Sequence, residues 1–192
     1  MDSLFRILFL STALLAFVII DYPRSIIIPL IKQYKNVLFR DDSFSVFAVF
    51  LCDNISWIIS AGIFLIAFGT LPQILFYFGV AMMIFGFLLR QWSISKLGVF
   101  FSPTIRIIKK HKIITSGPYK YIRHPSYTGM LIFLLGMAIA SRSFDSIFFG
   151  MAFPICGYLY RIRMEERSLT LHLGKSYVDY TKKTKMLIPF IF

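Results

Sequence analysis

The sequence predicts an all-α integral membrane protein of about five transmembrane helices. Its pocket is expected on the cytoplasmic face, formed by the loop before helix 4 and the C-terminal helical tail. Three observations carry this. Of the 192 residues, 57% are hydrophobic and only 16% charged. The apolar residues lie in long blocks and not at amphipathic spacing. The basic residues gather on one side of the alternation that those blocks impose.

The blocks run at about 4–20, 44–69, 73–95, 125–140 and 144–160. The first three are long enough to cross a bilayer as helices. The first sits where a signal peptide would, but Ile19-Ile20-Asp21-Tyr22-Pro23 offers no small-residue cleavage site, so a retained helix is expected. Gly69-Thr70-Leu71-Pro72 reads as the turn between blocks two and three. Blocks four and five, at 16 and 17 residues, are marginal alone and suit a tight hairpin closed by Ser141-Arg142-Ser143.

The formal charge of +12 follows from this topology. If loop 21–43, segment 90–124 and tail 161–192 share one face, they hold 19 of the 21 Lys and Arg residues, and only Arg6 and Arg142 lie opposite. Positive charge marks the cytoplasmic side. A multi-pass protein with its site toward the cytoplasm is therefore expected, and nucleic acid is set aside as the partner for this charge. Cys52 and Cys156 both fall inside apolar blocks, without paired spacing for a metal or a disulfide.

No internal repeat or linker divides the chain, so 1–192 is read as a single domain. Residues 1–95 carry three N-terminal spans, and 96–192 the hairpin, its polar flanks and the tail. Within 24–38, Ile27, Leu30, Ile31, Tyr34, Val37 and Leu38 share one helical face. That pattern suits either a helix lying in the interface or a loop helix packed on the spans. Residues 161–173 continue the last span into the cytoplasm until Gly174, and a second helix follows at about 175–183. Met186-Leu187-Ile188-Pro189-Phe190 is apolar enough to fold back onto the membrane face.

Two polar elements flank the hairpin, 104–129 and 161–167, and the hairpin brings them together. In the first, Pro125 suits the first position of a helix capped by His124. The N–H groups of Ser126 and Tyr127 are then expected to be free and, with the helix dipole, to form an anion site beside Lys120 and Arg123. In the second, Arg161 and Glu165 are spaced i, i+4 on one face. Arg before Glu is the weaker orientation for a surface pair, so stability is a thin reason for it. Asp53 and Asn54 fall inside block two, where a charge is expensive; Asp53 is expected to make a structural polar contact. Asp145 is expected near the outer interface, and His172 on the surface. No P-loop, HExxH or Gly-rich dinucleotide loop occurs.

"HKIITSGPYKYIRHPSYTG", then a hydrophobic hairpin, then "RIRMEERSLTLHLGKSYVDYTKKTKMLIPFI", resembles the isoprenylcysteine carboxyl methyltransferase family from His111 to the C-terminus. A small chain with five spans looks like a prokaryotic-type member. The resemblance implies a single membrane methyltransferase domain with its catalytic region in 96–192. The reaction would be methylation of the C-terminal carboxylate of a prenylated cysteine. The donor would be S-adenosylmethionine and the product S-adenosylhomocysteine. Residue by residue, it implies that His111, Lys112, Ile113, Ile114, Tyr119, His124, Pro125, Ser126, Tyr127 and Glu165 bind the cofactor. It implies that Arg161 binds the substrate and that Arg161 and Glu165 carry catalysis, with no metal. Glu166 and Arg163 are adjacent and stand as alternatives for these two roles. The partners implied are a prenylated cysteine or related lipid acid and membrane lipids.

Two other classes remain at this point. A phospholipid N-methyltransferase would share the donor, but its amine must lose a proton, so it needs a base from Glu165, Glu166 or His124. A non-catalytic membrane scaffold would use the polar border as an anchor.

Overall fold

The computed structural model describes residues 3–21, 23, 37–41, 43–66, 71–108 and 112–189. It is a helical protein. Helix α1 (Ser3–Ala16) runs into a π-helical turn, Phe17–Asp21. Helices α2 (Ser43–Ile66), α3 (Ile74–Leu97), α4 (Pro125–Ala140) and α5 (Phe144–Leu173) follow, then the short α6 (Lys175–Lys183). The hairpin α4–α5 turns at Ser141-Arg142-Ser143 with Arg142 at φ 57°, as the sequence suggested. Gly174, at φ 57°, ends α5 and sends its N–H to the Thr170 carbonyl.

α2 turns three serines inward, and both α2 and α3 expose many of their large apolar residues. Ser45, Ser56 and Ser60 are buried, while Phe44, Phe47, Phe50 and Ile58 of the same helix are exposed. Phe78, Ile84, Phe85 and Leu88 of α3 are likewise exposed. This inverts the pattern of a water-soluble helix and suits a surface facing lipid, with small and polar residues at the helix contacts. Phe44–Ile66 and Ile74–Phe100 are long and apolar enough to cross a membrane by length and composition; Pro125–Ala140 is apolar but shorter.

The tightest contact is between α3 and α4. Gly79 and Gly86 are seven residues apart on α3, and Gly129 and Gly136 are seven apart on the antiparallel α4. A Cβ on Gly79 would come within 2.5 Å of the Gly136 carbonyl and the Ala140 nitrogen. One on Gly86 would come within 2.5 Å of the Gly129 carbonyl and the Phe133 nitrogen. Only hydrogen fits there, so the two backbones touch along a seam, the gain being van der Waals contact. Met83, Met130, Phe133, Leu134, Met137 and Tyr158 form the main core beside it. Toward the far end, Phe9 of α1 packs edge-on against Phe76 with ring centroids 5.2 Å apart.

α5 crosses α2 in a different way. Pro154 is fully buried inside α5. It has no N–H, so the Gly150 carbonyl four residues earlier loses its helical donor. The Ser56 hydroxyl of α2 donates to that carbonyl instead. In an apolar interior this satisfaction is required, not optional. Cys52 packs against Gly157, and a Cβ there would meet its sulfur at 3.1 Å. Both cysteines are free, Cys52 half-buried and Cys156 exposed. Tyr158 donates to Asp53 Oδ2 at 2.9 Å, the structural polar contact expected of that aspartate.

One feature departs from the all-α expectation. Strands β1 (Val37–Asp41) and β2 (Ile105–Ile108) pair antiparallel, with Arg40 opposite Arg106 and an irregularity between Val37 and Phe39. Val37 and Leu38 were expected at the end of a helix and lie in this strand; the rest of that expected helix, 24–36, is outside the described residues. The reason is the partner strand. Ile105 and Ile107 are buried and Arg106 is half-exposed, a period-two pattern that needs a neighbour to pair with. The tail folds back as expected: Lys185 bridges to Ile122, and Leu187 is buried.

Two outcomes follow from these contacts. Gly86→Val is expected to lower thermal stability in detergent by about 3 kcal/mol or more through overpacking against backbone. Gly62→Ala, with nothing within 4 Å of its Cβ, is expected to leave stability unchanged or raised. Ser56→Ala is expected to cost about 1–3 kcal/mol by orphaning the Gly150 carbonyl. Adding Pro154→Ala should recover part of that loss, because the restored N–H bonds the same carbonyl; strictly additive losses in the melting curves would refute this.

Candidate functional site

The elements converge at one end of the bundle. The chain leaves α3 through a 3₁₀ turn, Gly98–Phe100, then β2, and returns through a second 3₁₀ turn, Gly117–Lys120, to α4. Pro125 stands at the first position of α4 with His124 as cap, as the sequence suggested. The far end of α5 lies alongside, and α6 with the tail closes the other side. Between them is an open cleft with about 110 Å³ of water-accessible space.

Most residues singled out from sequence line this one cleft. Lys112, Ile113, Ile114, Tyr119, His124, Ser126, Tyr127, Arg161 and Glu165 all do. Pro125 is fully buried behind the wall and shapes it instead of lining it. His111 lies outside the described residues.

Arg161 is buried at 3% exposure although it carries a full charge. Its guanidinium donates from Nε to the Tyr127 hydroxyl at 3.3 Å and from Nη2 to the Pro103 carbonyl at 2.8 Å. Nη1 donates to Ser45 Oγ. The Tyr127 hydroxyl in turn donates to Glu165 Oε2 at 2.6 Å. Arg161 and Glu165 thus share one tyrosine hydroxyl and do not pair directly. A planar guanidinium held on several sides is preorganised for a carboxylate.

The adjacent glutamates divide their tasks. Successive helical positions diverge by about 100°, so Glu165 faces the cleft while Glu166 turns to the segment before α4. Glu166 Oε1 accepts from Arg123 Nε at 2.6 Å and lies 3.1 Å from His124 Nε2. Arg123 also donates to the Thr184 carbonyl at 2.6 Å, fastening the tail. Burial pushes the Glu166 carboxyl up, but the hydrogen bonds from His124 and Arg123 outweigh it and hold the group below its ordinary value. His124 stacks on Tyr127 with rings 7° from parallel. Arg163, the alternative to Arg161, is exposed.

The anion-site expectation at the start of α4 needs a correction. The Tyr127 N–H bonds the His124 carbonyl at 3.0 Å and is not free. The cap residue's carbonyl turns into the helix and takes that donor, leaving only the Ser126 amide without a carbonyl partner among the described residues.

Sequence reasoning left out several residues of the cleft. Tyr177 and Tyr180 of α6 line it, as do Phe100 and Thr104 of the segment after α3. Tyr180 donates to the Tyr119 carbonyl at 2.7 Å. The Tyr177 hydroxyl is buried and has no hydrogen-bond partner among the described residues. An orphaned hydroxyl in a cleft wall fits a ligand's polar atom. Burial, with Glu166 and Glu165 nearby, pushes the Tyr177 phenol up; burial and the Glu165 charge do the same to Tyr119. Both are neutral hydrogen-bonding groups at physiological pH. The Tyr177–Tyr180 spacing, i and i+3 on one helical face, was the available signal. Asp145 and His172 are exposed, as expected. The described residues hold no group of His, Cys, Asp and Glu suited to a metal.

Glu166→Gln is expected to lower the melting temperature at pH 7. A folded carboxyl held below its ordinary value of about 4.3 stabilises fully above that pH. The contribution is lost as pH falls through the folded value, so variant and parent should converge under acid conditions. A melting gap that is constant from pH 8 to pH 3 would contradict the ion-pair account.

Comparison with known proteins bears on this arrangement. Residues 79–171 match the isoprenylcysteine carboxyl methyltransferase (ICMT) family. The match thus begins in α3, before the motif segment, and ends near the end of α5. Protein-S-isoprenylcysteine O-methyltransferase B of Arabidopsis thaliana is 34% identical over 119 residues, 59% of this chain and 59% of its own. The Rattus norvegicus protein-S-isoprenylcysteine O-methyltransferase is 32% identical over 125 residues, 59% of this chain and 40% of its own. The chain therefore spans about half the length of these relatives. A solved structure of a eukaryotic intramembrane Ras methyltransferase, ICMT, superposes with a TM-score of 0.57 at 24% identity, covering 96% of this chain and 63% of that one. The fold is shared with that structure, and residues 79–171 of this chain are similar to the isoprenylcysteine carboxyl methyltransferase family.

Proposed function

We propose that this chain is an S-adenosylmethionine-dependent methyltransferase forming a methyl ester on the C-terminal carboxylate of a prenylated cysteine at the membrane. The observation that carries the proposal is the convergence of Lys112–Tyr127 with Arg161 and Glu165 on one cleft at the end of an apolar helical bundle. The relatives named above support a carboxylate acceptor, and the amine acceptor of the N-methyltransferase alternative has no support among them.

The donor supplies a methyl group on a positively charged sulfur. A carboxylate oxygen displaces the thioether, and no proton moves, because the acid is already ionised at neutral pH. The chain's task is alignment and exclusion of water. In this reading His111, Lys112, Ile113, Ile114, Tyr119, His124, Ser126 and Tyr127 hold the cofactor, and Pro125 sets the start of α4. Glu165 accepts hydrogen bonds from the cofactor and Tyr177 supplies a further polar contact. Aromatic faces suit a sulfonium. Arg161 orients the acceptor carboxylate, and Arg161 and Glu165 together form the catalytic centre.

The whole chain is proposed as one membrane methyltransferase domain with five spans, α1 to α4 and the first part of α5. The arrangement of helix ends supports it. Ser45, Arg161, Arg90 and Ser126 lie at one end, and Leu71 meets Arg142 at the other, where the Leu71 N–H bonds the Arg142 carbonyl at 3.0 Å. Among the described residues the cleft end carries nearly all the Lys and Arg, so in this reading it faces the cytoplasm. The charged cofactor then arrives from water and the lipid tail from the bilayer.

Purified full-length protein should transfer labelled methyl from S-adenosylmethionine to N-acetylated prenylcysteine as a base-labile ester. Arg161→Ala is expected to reduce kcat/KM for the acceptor by about tenfold to a hundredfold, the worth of a charge-assisted hydrogen bond. Its effect on S-adenosylhomocysteine binding should be smaller. Equal losses would show that Arg161 serves the cofactor, and no ester at all would reject the proposal.

A further inference from the structure

One buried ion pair is used by nothing above. Asp21, at the end of the π-helical turn after α1, is 1% exposed. Arg90 of α3 donates to both its oxygens, from Nε to Oδ1 at 2.7 Å and from Nη2 to Oδ2 at 3.1 Å. Gln91 Nε2 adds a third hydrogen bond to Oδ1 at 2.8 Å. A buried pair is weak evidence for stability, since desolvating two charges offsets their attraction. Charges between apolar helices are usually functional. The pair does one thing more: Arg90 Nη1 donates to Ser126 Oγ at 3.2 Å across the glycine seam.

Ser126 is the second residue of α4 and part of the cleft wall. A serine hydroxyl has one proton to give and two lone pairs. Near a helix start it often turns to a local backbone carbonyl. Here the guanidinium takes the acceptor side, and the hydroxyl proton has no acceptor among the described residues. The Ser126 amide has no carbonyl partner there either. One wall residue therefore carries two uncommitted donors.

We propose that Arg90 is a positioning residue for methyl-donor binding. Fixed in orientation by Asp21, it occupies the acceptor side of Ser126 Oγ and commits the Ser126 hydroxyl, with the Ser126 amide, to donate to the carboxylate of the donor's amino-acid portion. The inference rests on the methyl-donor reading above and adds Asp21 and Arg90 to it. α1 thereby bears on the cleft without lining it.

The test compares two probes by calorimetry on the full chain in detergent: S-adenosylhomocysteine and its decarboxylated analogue, S-adenosyl-3-thiopropylamine. Wild type should prefer the first. Ser126→Ala should weaken it about tenfold and leave the analogue unchanged, narrowing the gap. Arg90→Lys keeps the charge but cannot fork between Asp21 and Ser126, so it should give a similar selective loss. The double variant should then bind no worse than Ser126→Ala alone, since both act on one contact. Additive losses, equal losses for both probes, or an unchanged Arg90→Lys would overturn the assignment. If Arg90 variants fail to fold, Asp21→Asn with Ser126→Ala decides on the same selectivity criterion. Wild type binding neither probe would reject the methyl-donor reading itself, whereas wild type binding both equally would reject this inference alone.

Discussion

The backbone contact between α3 and α4 is the constraint from which the site's geometry descends. Helix pairs separated by side chains can slide or rotate by fractions of a turn, because side chains repack. Gly79, Gly86, Gly129 and Gly136 remove that freedom, since each meets backbone within 2.7 Å of where a Cβ would be. The seam continues past Gly86 to Arg90 and past Gly129 to Ser126, and so sets the distance at which those two meet. It also fixes where α4 begins, and therefore where His124 and Tyr127 sit. With the hairpin turn rigidly closed, α5 can present Arg161 and Glu165 at only one height along Tyr127.

The arginines that frame the cleft are held by chain from other elements. Arg161 is held by Ser45 of α2, the Pro103 carbonyl and Tyr127 of α4. Arg123 joins the segment before α4 to α5 and to the tail through Glu166 and the carbonyls of Thr181 and Thr184. Hydrogen bonds of this kind contribute little net stability in water. Their value here is orientation. A cleft that works by alignment needs side chains with few rotamers, and low dielectric makes misplacement costly. Tyr119 and Tyr177, raised in pKa by burial, donate and accept without titrating.

Such a site also answers the problem of two phases. The exposed aromatic and aliphatic residues of α2 and α3 suit lipid, while α6 and the tail are rich in lysine and suit water. The cleft opens where these surfaces meet. Apolar residues such as Leu97, Phe100, Leu169 and Leu173 line it together with the polar groups. In the proposed reading, a donor with a charged head and an acceptor with an apolar tail are held together there.

Much of this was legible in the chain itself. Apolar block length foretold α2, α3 and the hairpin, because a helix crossing lipid must satisfy its own backbone and so writes itself as an unbroken run. Pro125 and Gly174 marked helix ends for local steric reasons. The motif segment announced its chemistry through residue types packed too densely for a border. Other features had no local signature. The ribbon β1–β2 joins residues more than sixty positions apart, and neither strand is distinctive without its partner. The Ser56–Gly150 bond is explained only by Pro154 on a different helix. Asp21 and Arg90 lie 69 positions apart, and only packing joins them. Likewise Glu165 and Glu166 were interchangeable in sequence, whereas in the structure Glu165 lines the cleft and Glu166 accepts from Arg123. Sequence determined which segments are helical and which residue types reach the cleft end, because those follow from short-range sterics and from the cost of polar groups in lipid. Tertiary structure decided which side chains face one another, because that depends on distances between elements, which the glycine seam and the α2–α5 crossing set.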